Sequence, residues 1–322
     1  MTTRIAIVGV GVFGAFHART LASLGNADLV ALVDGDISRA QKLADELGVP
    51  QVFTSLTELI ESGSAEAIVV ATRADTHLPL AREAIAAGLH VLVEKPFANS
   101  AEEIRQFAKD IGEPSTAVMV NHLCLFHSLV APLIERLDKT GFRSLHFVRH
   151  RPDRVGARFP EDHPIQLTMV HDLYVAARIS KGEQPVFIHA MDGHNAAGRA
   201  DMAWGTLRWA DGRTATFQSH MNLPASAPED GWDTLEVFGD GFHSHVKTNP
   251  APWVWSDDRV DHPVTLEISD VLGVPTGMLC GSLQAFLSAT RGKPVPQGCR
   301  VEDALHIQEW IEKLLLSARN PS

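Results

Sequence analysis

The sequence contains few cysteines for its 322 residues. Cys124, Cys280 and Cys299 are widely spaced, are odd in number and form no CxxC pair. Disulfide frameworks and zinc sites need paired or closely spaced cysteines, so the pattern argues against both. His243 and His245 alternate on a predicted strand without an acid or cysteine at ligand spacing. We therefore expect neither a disulfide nor a metal site.

A basic cluster and long hydrophobic runs are also lacking. The formal net charge is -11 at pH 7, whereas a protein that binds nucleic acid usually carries a basic stripe. Apolar runs such as EAIVVATRAD stop short of the roughly 18 to 20 residues that a membrane span requires. The first residues, MTTRIAIVGVG, lack the pattern of a secretion signal. These absences predict a cytoplasmic protein that binds neither nucleic acid nor membrane.

Short aliphatic runs alternate with helical patterns in the first part of the chain. Helix limits are indicated by residues such as Asp36, a predicted N-cap, Gly48, a predicted stop, and Ser100, which has Glu103 in capping-box spacing. The alternation predicts an α/β fold, in which helices cover both faces of a doubly wound parallel sheet. In such sheets ligands bind beyond the carboxyl ends of the strands. The strands are predicted at 5–8, 29–34, 67–72, 90–95 and 115–122.

A glycine motif, VGVGVFGA, follows the first strand and opens a helix. Gly9 permits a tight turn, Gly11 lets the backbone approach a pyrophosphate, and Gly14 lets helix and strand pack closely. The N-terminus of the helix then favours an anion. The motif predicts a dinucleotide-binding Rossmann domain over 1–121, with cofactor contacts at Gly9, Gly11, Val12, Phe13 and Gly14.

An acidic residue, Asp34, ends the second predicted strand. Its carboxylate would accept hydrogen bonds from the adenosine ribose and repel a 2′-phosphate, which favours NAD over NADP. Arg39 lies close enough in sequence to keep NADP as the alternative.

The chain resembles the glucose–fructose oxidoreductase, inositol dehydrogenase and rhizopine catabolism (Gfo/Idh/MocA) family. The resemblance rests on VGVGVFGAFHA, ALVDGD, ATRADTHLPLAREAIAAGLHVLVEKPFA and, more loosely, MVHDLYVAARI. It implies that Thr72 and His77 line the nicotinamide side of the cofactor, and that Glu94, Lys95 and Pro96 form the family's EKP triplet. By this resemblance Lys95 orients a substrate hydroxyl and shares its proton.

After residue 121 the pattern changes to predicted antiparallel strands, with Asp211-Gly212 as a hairpin turn. This matches the family's second domain, an open-faced sheet that binds substrate and forms oligomers, over 122–322; its C-terminal helix could return towards the first domain. A second subunit is a common cover for such a face, so we expect a homodimer or homotetramer. Core packing is the alternative role for the candidate face residues Trp204, Trp209, Trp253 and Trp255.

The predicted site helix, QLTMVHDLYV, departs from the family pattern. His171 is retained, but Leu167 replaces an aspartate four residues earlier, and Tyr174 stands where a second acid is common. An imidazole titrates near neutral pH, so His171 can still act with Lys95 on a hydroxyl proton. We therefore predict Lys95 and His171 as catalytic residues. Substitutes for the missing acid are Asp172, Asp162 and His163.

Four arginines precede this helix in RHRPDRVGARFPEDH. A guanidinium matches a planar anion, so one or two of them could clamp a carboxylate or phosphate of the substrate; a solvated loop is the alternative. The predicted substrate contacts are Lys95, Arg151, Arg158, His171, Asp172 and Tyr174.

Three functions agree with these features. The first is an NAD-dependent oxidoreductase that moves a hydride between nicotinamide and a secondary hydroxyl or ketone of a sugar, polyol or sugar-derived acid. The second is an NAD-assisted oxidation and elimination enzyme of lyase or glycosidase type. The third is a non-catalytic dinucleotide sensor or co-repressor, against which the retained Lys95 and His171 argue. The sequence leaves open the substrate, the reaction direction and the isomer of the Lys95–Pro96 bond.

Overall fold

The computed structural model describes residues 2–228, 231–248, 254–255, 260–261, 269–271 and 274–320. The chain divides into two compact units, Met1–Leu123 with Glu267–Leu305 and Cys124–Leu266 with His306–Ser322. The predicted second domain ran unbroken from 122 to 322, whereas this division assigns 267–305 to the first unit. The returning segment contains amphipathic helices, whose pattern does not say which core they cover.

Six parallel strands form the sheet of the first unit, in the order β3-β2-β1-β4-β5-β6. The order reverses at β1, which lies between β2 and β4, and a ligand crevice is expected at this switch point. The predicted parallel sheet is confirmed. Its strands are Thr3–Val8 (β1), Ala27–Val33 (β2), Gln51–Phe53 (β3), Ala67–Val70 (β4), His90–Val93 (β5) and Val118–Val120 (β6).

Two of the helices between these strands begin at the N-cap residues that the sequence predicts. Asp36 accepts hydrogen bonds from the backbone N–H groups of Ser38 and Arg39, and Gly48 ends that helix in the left-handed conformation. Ser100 accepts from the N–H of Glu103. The helices are Val12–Ala22 (α1), Ile37–Leu47 (α2), Leu56–Ser62 (α3), Ala74–Ala86 (α4) and Ala101–Ile111 (α5).

The core of the first unit lies on both faces of its sheet. Every residue of β4 is fully buried, as are Ile5, Ile7 and Leu92. Burying one such aliphatic side chain contributes about 1.5 to 3 kcal/mol relative to leaving it in water. Burial on both faces of the sheet explains why the central strands are continuous aliphatic runs and do not alternate with polar residues.

A second sheet forms the centre of the second unit, in the order β12-β11-β7-β10-β9-β8. The β7–β10 pair is parallel and the other pairs are antiparallel, so the mainly antiparallel sheet is confirmed. The β9–β10 hairpin turns at Asp211-Gly212, as predicted, and Gly212 has a φ of +90°. The strands are Ser144–Pro152 (β7), Phe187–His194 (β8), Ala200–Arg208 (β9), Thr214–Leu223 (β10), Trp232–Gly239 (β11) and Phe242–Lys247 (β12).

One face of this second sheet is buried and the other is partly exposed. Trp209 belongs to the core, where it packs edge-on against Phe142 and Trp310. Trp204 lies on the opposite, partly exposed face beside His220. The side chains of Trp253 and Trp255 lie outside the described residues.

The remaining elements complete the two units. The unit boundary after residue 305 falls inside the last helix. No helix in the part of the chain that the structure describes is long and apolar enough to span a membrane. These elements are Val130–Thr140 (α6), Asp153–Ala157 (α7), Val170–Ile179 (α8), Gly277–Ala289 (α9), Val301–Arg319 (α10), Val254–Trp255 (β13), Val260–Asp261 (β14), Ser269–Val271 (β15), Val274–Thr276 (β16), a 3₁₀ turn at Leu123–Phe126 and a π-helical turn at Ile165–Met169.

Candidate active site

The glycine turn after β1 has the geometry that a dinucleotide pyrophosphate requires. Gly9 has a φ of +89°, and a Cβ on Gly14 would overlap the carbonyl group of Gly9. None of the described residues comes within 4 Å of a Cβ built on Gly11, so the turn faces open space there. Gly9 and Gly14 thus show the tight turn and the close packing expected of them, while the approach of Gly11 to a pyrophosphate stays a prediction.

Helix α1 presents an uncapped N-terminus at this turn. Gly11 is its N-cap residue, and among the described residues no side chain caps it and no acid lies in its first turn. Val12 and Phe13 are 71% and 44% exposed. The positive end of the helix and its first N–H groups are thus suited to an anion such as the NAD diphosphate.

Asp34 is held in a fixed orientation beside the glycine turn. Its Oδ2 accepts a hydrogen bond from the N–H of Val10 at 2.8 Å, and its Oδ1 accepts one from the N–H of Asp36 at 2.9 Å. Arg39 approaches to 3.5 Å from Asp34 and 3.4 Å from Asp36. Arg39, which could otherwise favour NADP, is thus paired with two carboxylates, so these residues fit NAD.

His77 joins the loops that follow β4 and β5. Its Nδ1 lies 2.8 Å from the carbonyl oxygen of Pro96, and its Nε2 lies 3.1 Å from that of Thr72. The ring is buried, and the Lys95–Pro96 bond is cis. Both ring nitrogens therefore contact backbone, which suits a residue that fixes the loops.

Glu94 is buried, and contacts with neighbouring groups engage both of its carboxylate oxygens. Oε1 lies 2.8 Å from His17 Nε2 and accepts a hydrogen bond from Asn121 Nδ2 at 2.5 Å, while Oε2 accepts one from the N–H of Lys95 at 3.1 Å. Burial by itself would raise the pKa of Glu94, but the contact with His17, the hydrogen bond from Asn121 and the nearby Lys95 lower it. Glu94 thus stays ionised and fixes the backbone of Lys95, which is itself partly buried.

Sequence reasoning missed His17, Asn121 and Ser282, which complete this network. Ser282 donates a hydrogen bond to Asn121 Oδ1 at 2.6 Å. His17 lies among the buried residues of α1. A buried polar group needs a hydrogen-bond partner, so a histidine on this face of the helix was a signal for a buried contact. Ser282 could not have been found, since it lies 161 positions from Asn121 in the chain.

In the second unit, His171 and Tyr174 lie on α8, directly after the π-helical turn that contains Leu167. The Nδ1 of His171 lies 2.9 Å from the Tyr174 hydroxyl oxygen, which also accepts a hydrogen bond from the N–H of Cys124 at 3.0 Å. Tyr174 is fully buried and His171 is partly exposed. The phenol therefore contacts the imidazole from the same helix, three residues further along.

Two arginines and two aspartates form a buried ion-pair network beside this helix. Arg149 pairs with Asp172 at 2.8 Å and with Asp233 at 2.6 Å, and Arg151 pairs with Asp233 at 2.5 Å. Burial by itself would lower the pKa of Arg149, but the two carboxylates raise it well above its ordinary value. The four charges balance within the network.

The other predicted residues of this region lie in different surroundings. Arg154 donates hydrogen bonds to the carbonyl oxygens of Ala225 and Ala227, and Arg158 is exposed. Of the predicted substitutes for the missing acid, Asp162 is exposed and His163 lies 3.2 Å from Asp192. Asp172, the third substitute, is engaged by Arg149.

The described residues contain no group of three His, Cys, Asp or Glu side chains that could hold a metal ion. All three cysteines are within the described ranges, and none of them forms a disulfide. Burial raises the pKa of the Cys124 thiol, so this thiol stays protonated and is a poor metal ligand.

The parallel sheet, the glycine turn and Asp34 define the first unit as a dinucleotide-binding Rossmann domain. Residues 3–122 match the Gfo/Idh/MocA family model, described as an oxidoreductase family with an NAD-binding Rossmann fold. This first part of the chain is therefore similar to that family.

Curated relatives are similar to this chain over part of their length. A UDP-N-acetylglucosamine 3-dehydrogenase from Acidithiobacillus ferrooxidans is 29% identical over 209 residues, 63% of each protein. Inositol 2-dehydrogenase 1 from Saccharopolyspora erythraea is 32% identical over 188 residues, 57% of this chain and 56% of the relative. The chain thus matches less than two thirds of either relative.

A solved structure shows the same fold over nearly the whole chain. Scyllo-inositol dehydrogenase from Lactobacillus casei, with bound NAD(H) and scyllo-inositol, superposes with a TM-score of 0.80 and 19% identity. The superposition covers 99% of this chain and 97% of that one.

Proposed function

We propose that the chain is an NAD-dependent oxidoreductase that transfers a hydride between nicotinamide and a secondary hydroxyl or ketone of a sugar or polyol. The observation that carries the proposal is the fixed position of Lys95 at the carboxyl end of β5, where Glu94 binds its N–H and His77 contacts the next carbonyl. NAD, when bound, supplies the hydride acceptor. The named dehydrogenase relatives, which act on inositol and on UDP-N-acetylglucosamine, support this reaction class.

We propose that the chain's own residues bind the cofactor and handle a proton. Gly9, Gly11, Val12, Phe13 and Gly14 would bind the diphosphate, and Asp34 the ribose. Thr72, His77, Glu94 and Lys95 would form the nicotinamide end, with His77 and Glu94 acting mainly through the backbone. Lys95 and His171 would manage the hydroxyl proton of the substrate.

The ion-pair network favours a neutral substrate over a sugar-derived acid. Arg151, a predicted anion clamp, donates two hydrogen bonds to Asp233, so its charge is already balanced. Arg158 stays the candidate for an anion contact. Asp172 and Tyr174 would support the position of His171 and would not contact the substrate themselves. If Arg158→Ala left the affinity for every substrate unchanged, the anion clamp would be abandoned.

Replacement of Lys95 tests the proposal directly. We expect Lys95→Met to lower kcat at least a hundredfold, because a positioned proton-transfer group typically contributes 10²- to 10⁴-fold. The Kd for NAD should change little. The measurement is nicotinamide absorbance with inositols and sugar nucleotides, using NAD and NADP, beside calorimetry of cofactor binding. Lys109→Met, at an exposed lysine of α5, is the matched control. Full turnover by Lys95→Met would refute the assignment.

Leu167 stands where the resemblance implies an aspartate, so two other functions stay as alternatives. An oxidation and elimination enzyme would form product without net NADH. A sensor or co-repressor would bind NAD in the calorimeter and turn over no member of the panel. Nicotinamide absorbance therefore separates the first function from the other two, and mass spectrometry of the products separates the elimination enzyme from the sensor.

We also propose that copies of the chain associate through the partly exposed face of the second sheet. Trp204, His146, His150 and His220 lie there, and a face of aromatic and imidazole rings is typical of a covered surface. A cytoplasmic location stays a prediction from the sequence.

A further inference from the structure

Tyr174 is the chain's one tyrosine, and it contacts the candidate catalytic imidazole. Its hydroxyl oxygen lies 2.9 Å from Nδ1 of His171, and the two rings meet edge-on with centroids 5.6 Å apart. The same oxygen accepts a hydrogen bond from the backbone N–H of Cys124. A phenol is thus the hydrogen-bonding neighbour of this imidazole.

The direction of the Tyr174–His171 hydrogen bond follows from the groups around the phenol. A phenol has one proton to donate and two lone pairs, and the N–H of Cys124 occupies one lone pair. Burial raises the pKa of Tyr174 well above its ordinary value, so the phenol keeps its proton. A ring nitrogen is a strong acceptor, whereas the neighbouring Cys124 sulfur is a weak one. The proton is therefore donated to Nδ1 of His171.

We infer that Tyr174 is a positioning residue that holds neutral His171 in the tautomer with its proton on Nε2. A carboxylate partner would do the opposite: it would accept a hydrogen bond from Nδ1–H and leave Nε2 as a base. With the phenol, Nε2 becomes a hydrogen-bond donor. The phenol thus decides which ring nitrogen of His171 carries the proton.

This inference rests on the proposed function and gives Lys95 and His171 different roles in it. NAD, when bound, would supply the hydride acceptor. In the inferred tautomer His171 keeps its own proton, so it would donate an Nε2–H hydrogen bond to a substrate oxygen and would not take the hydroxyl proton. The base would then be the amine of Lys95, in its neutral form, and His171 would stabilise and orient the oxygen.

The contacts around α8 support a fixed geometry for this pair. Asp172, the neighbour of His171, is held by the guanidinium of Arg149 with bonds of 2.8 to 3.2 Å. The Cys124 amide lies in the 3₁₀ turn Leu123–Phe126. Helix and turn are therefore both anchored, which keeps the phenol between the imidazole and the amide.

Histidine NMR of the full-length protein tests the tautomer. Long-range ¹H–¹⁵N spectra distinguish a protonated from an unprotonated ring nitrogen, and the signal of His171 is assigned by its loss in His171→Gln. At neutral pH we expect Nε2 to be protonated and Nδ1 to be unprotonated. A signal with the proton on Nδ1 in the wild-type protein would overturn the inference, whatever the variants do.

Two variants then assign the effect to the phenol. Tyr174→Phe should produce a mixture of tautomers, whereas Cys124→Ala, which keeps the backbone N–H, should leave the tautomer as it is. In kinetics, Tyr174→Phe should lower kcat by roughly ten- to a hundredfold with KM within about twofold. An unchanged NMR signal in Tyr174→Phe would contradict the role. If the wild-type protein turned over no substrate, the proposed function would fail while the spectra still decided the tautomer.

Discussion

At the scale of single residues, His122 shows how burial makes stability depend on pH. It lies directly after β6, and its Nδ1 donates a hydrogen bond to the carbonyl oxygen of Gly298 at 2.5 Å. Burial lowers the pKa of His122 to about 4, although the Gly298 carbonyl and nearby acids oppose this shift. The neutral imidazole is therefore the form that the fold requires.

The free energy of unfolding should fall as the pH falls from about 6.5 to about 4. Between these values an unfolded His122, with an ordinary pKa of about 6.5, binds a proton that the folded protein excludes. The full difference corresponds to about 3 kcal/mol at the acid end. His122→Asn keeps a side-chain donor without titrating, so urea unfolding at several pH values should show a flatter dependence for it.

The exposed residue His243 provides the control for this measurement. Its side chain is 48% exposed and pairs with Glu236, so His243→Asn should follow the wild-type pH dependence closely. Equal slopes for the wild-type protein and His122→Asn would show that His122 does not cause the acid sensitivity.

At the scale of elements, the register of β7 and β11 creates a charge pair that the sequence hides. Arg149 and Asp233 lie opposite each other on these strands, 84 positions apart in the chain, and α8 adds Asp172. The arginine segment was interpreted as a candidate anion clamp or a solvated loop. For Arg149 the structure shows neither of these but an internal ion-pair network. Strand register brings Asp233 to the arginine, and α8 brings Asp172.

Removal of Arg149 should destabilise the protein strongly. Arg149→Met leaves Asp172 and Asp233 buried with half of their compensation, and breaking a buried pair in this way costs about 3 to 5 kcal/mol. Arg19→Met is the comparison, since Arg19 and Glu46 form an ion pair that is nearly half exposed and worth about 0 to 1 kcal/mol. Chemical denaturation measures both. Equal losses would mean that the Arg149 network contributes no more than a surface pair.

At the scale of the whole molecule, the proposed association of copies of the chain depends on the partly exposed face of the second sheet. We expect Trp204→Arg to dissociate the proposed oligomer, because a charge in the centre of a covered apolar face is strongly unfavourable. Light scattering coupled to gel filtration gives the mass. Leu316→Arg, at a leucine of α10 that is 64% exposed, is the control. A wild-type protein that is monomeric at high concentration would rule out this role for the face.

Much of the fold could be predicted because its signals are local. The glycine turn, the acid after β2 and the helix caps each act within a few residues, and aliphatic runs separated by helices allow few topologies. The positions of Gly9, Asp34 and Lys95 at the carboxyl ends of strands follow from these patterns. The sequence analysis allowed the C-terminal helix to return towards the first domain, but the bounds of the returning segment, 267–305, could not be predicted, since a helix's apolar face does not specify its partner.

The sequence by itself determined the Rossmann sheet, the cofactor turn and the EKP strand end, because local backbone geometry and hydrophobic period specify them. Only the tertiary structure decided what surrounds the candidate catalytic groups. Glu94 meets His17 and Asn121, Arg149 meets Asp233, and the His171 ring nitrogen meets the Tyr174 phenol and not a carboxylate. The first two sets of contacts join residues far apart in the chain. The Tyr174–His171 pair is local, yet its bond direction depends on Cys124, whose amide only folding brings to the phenol.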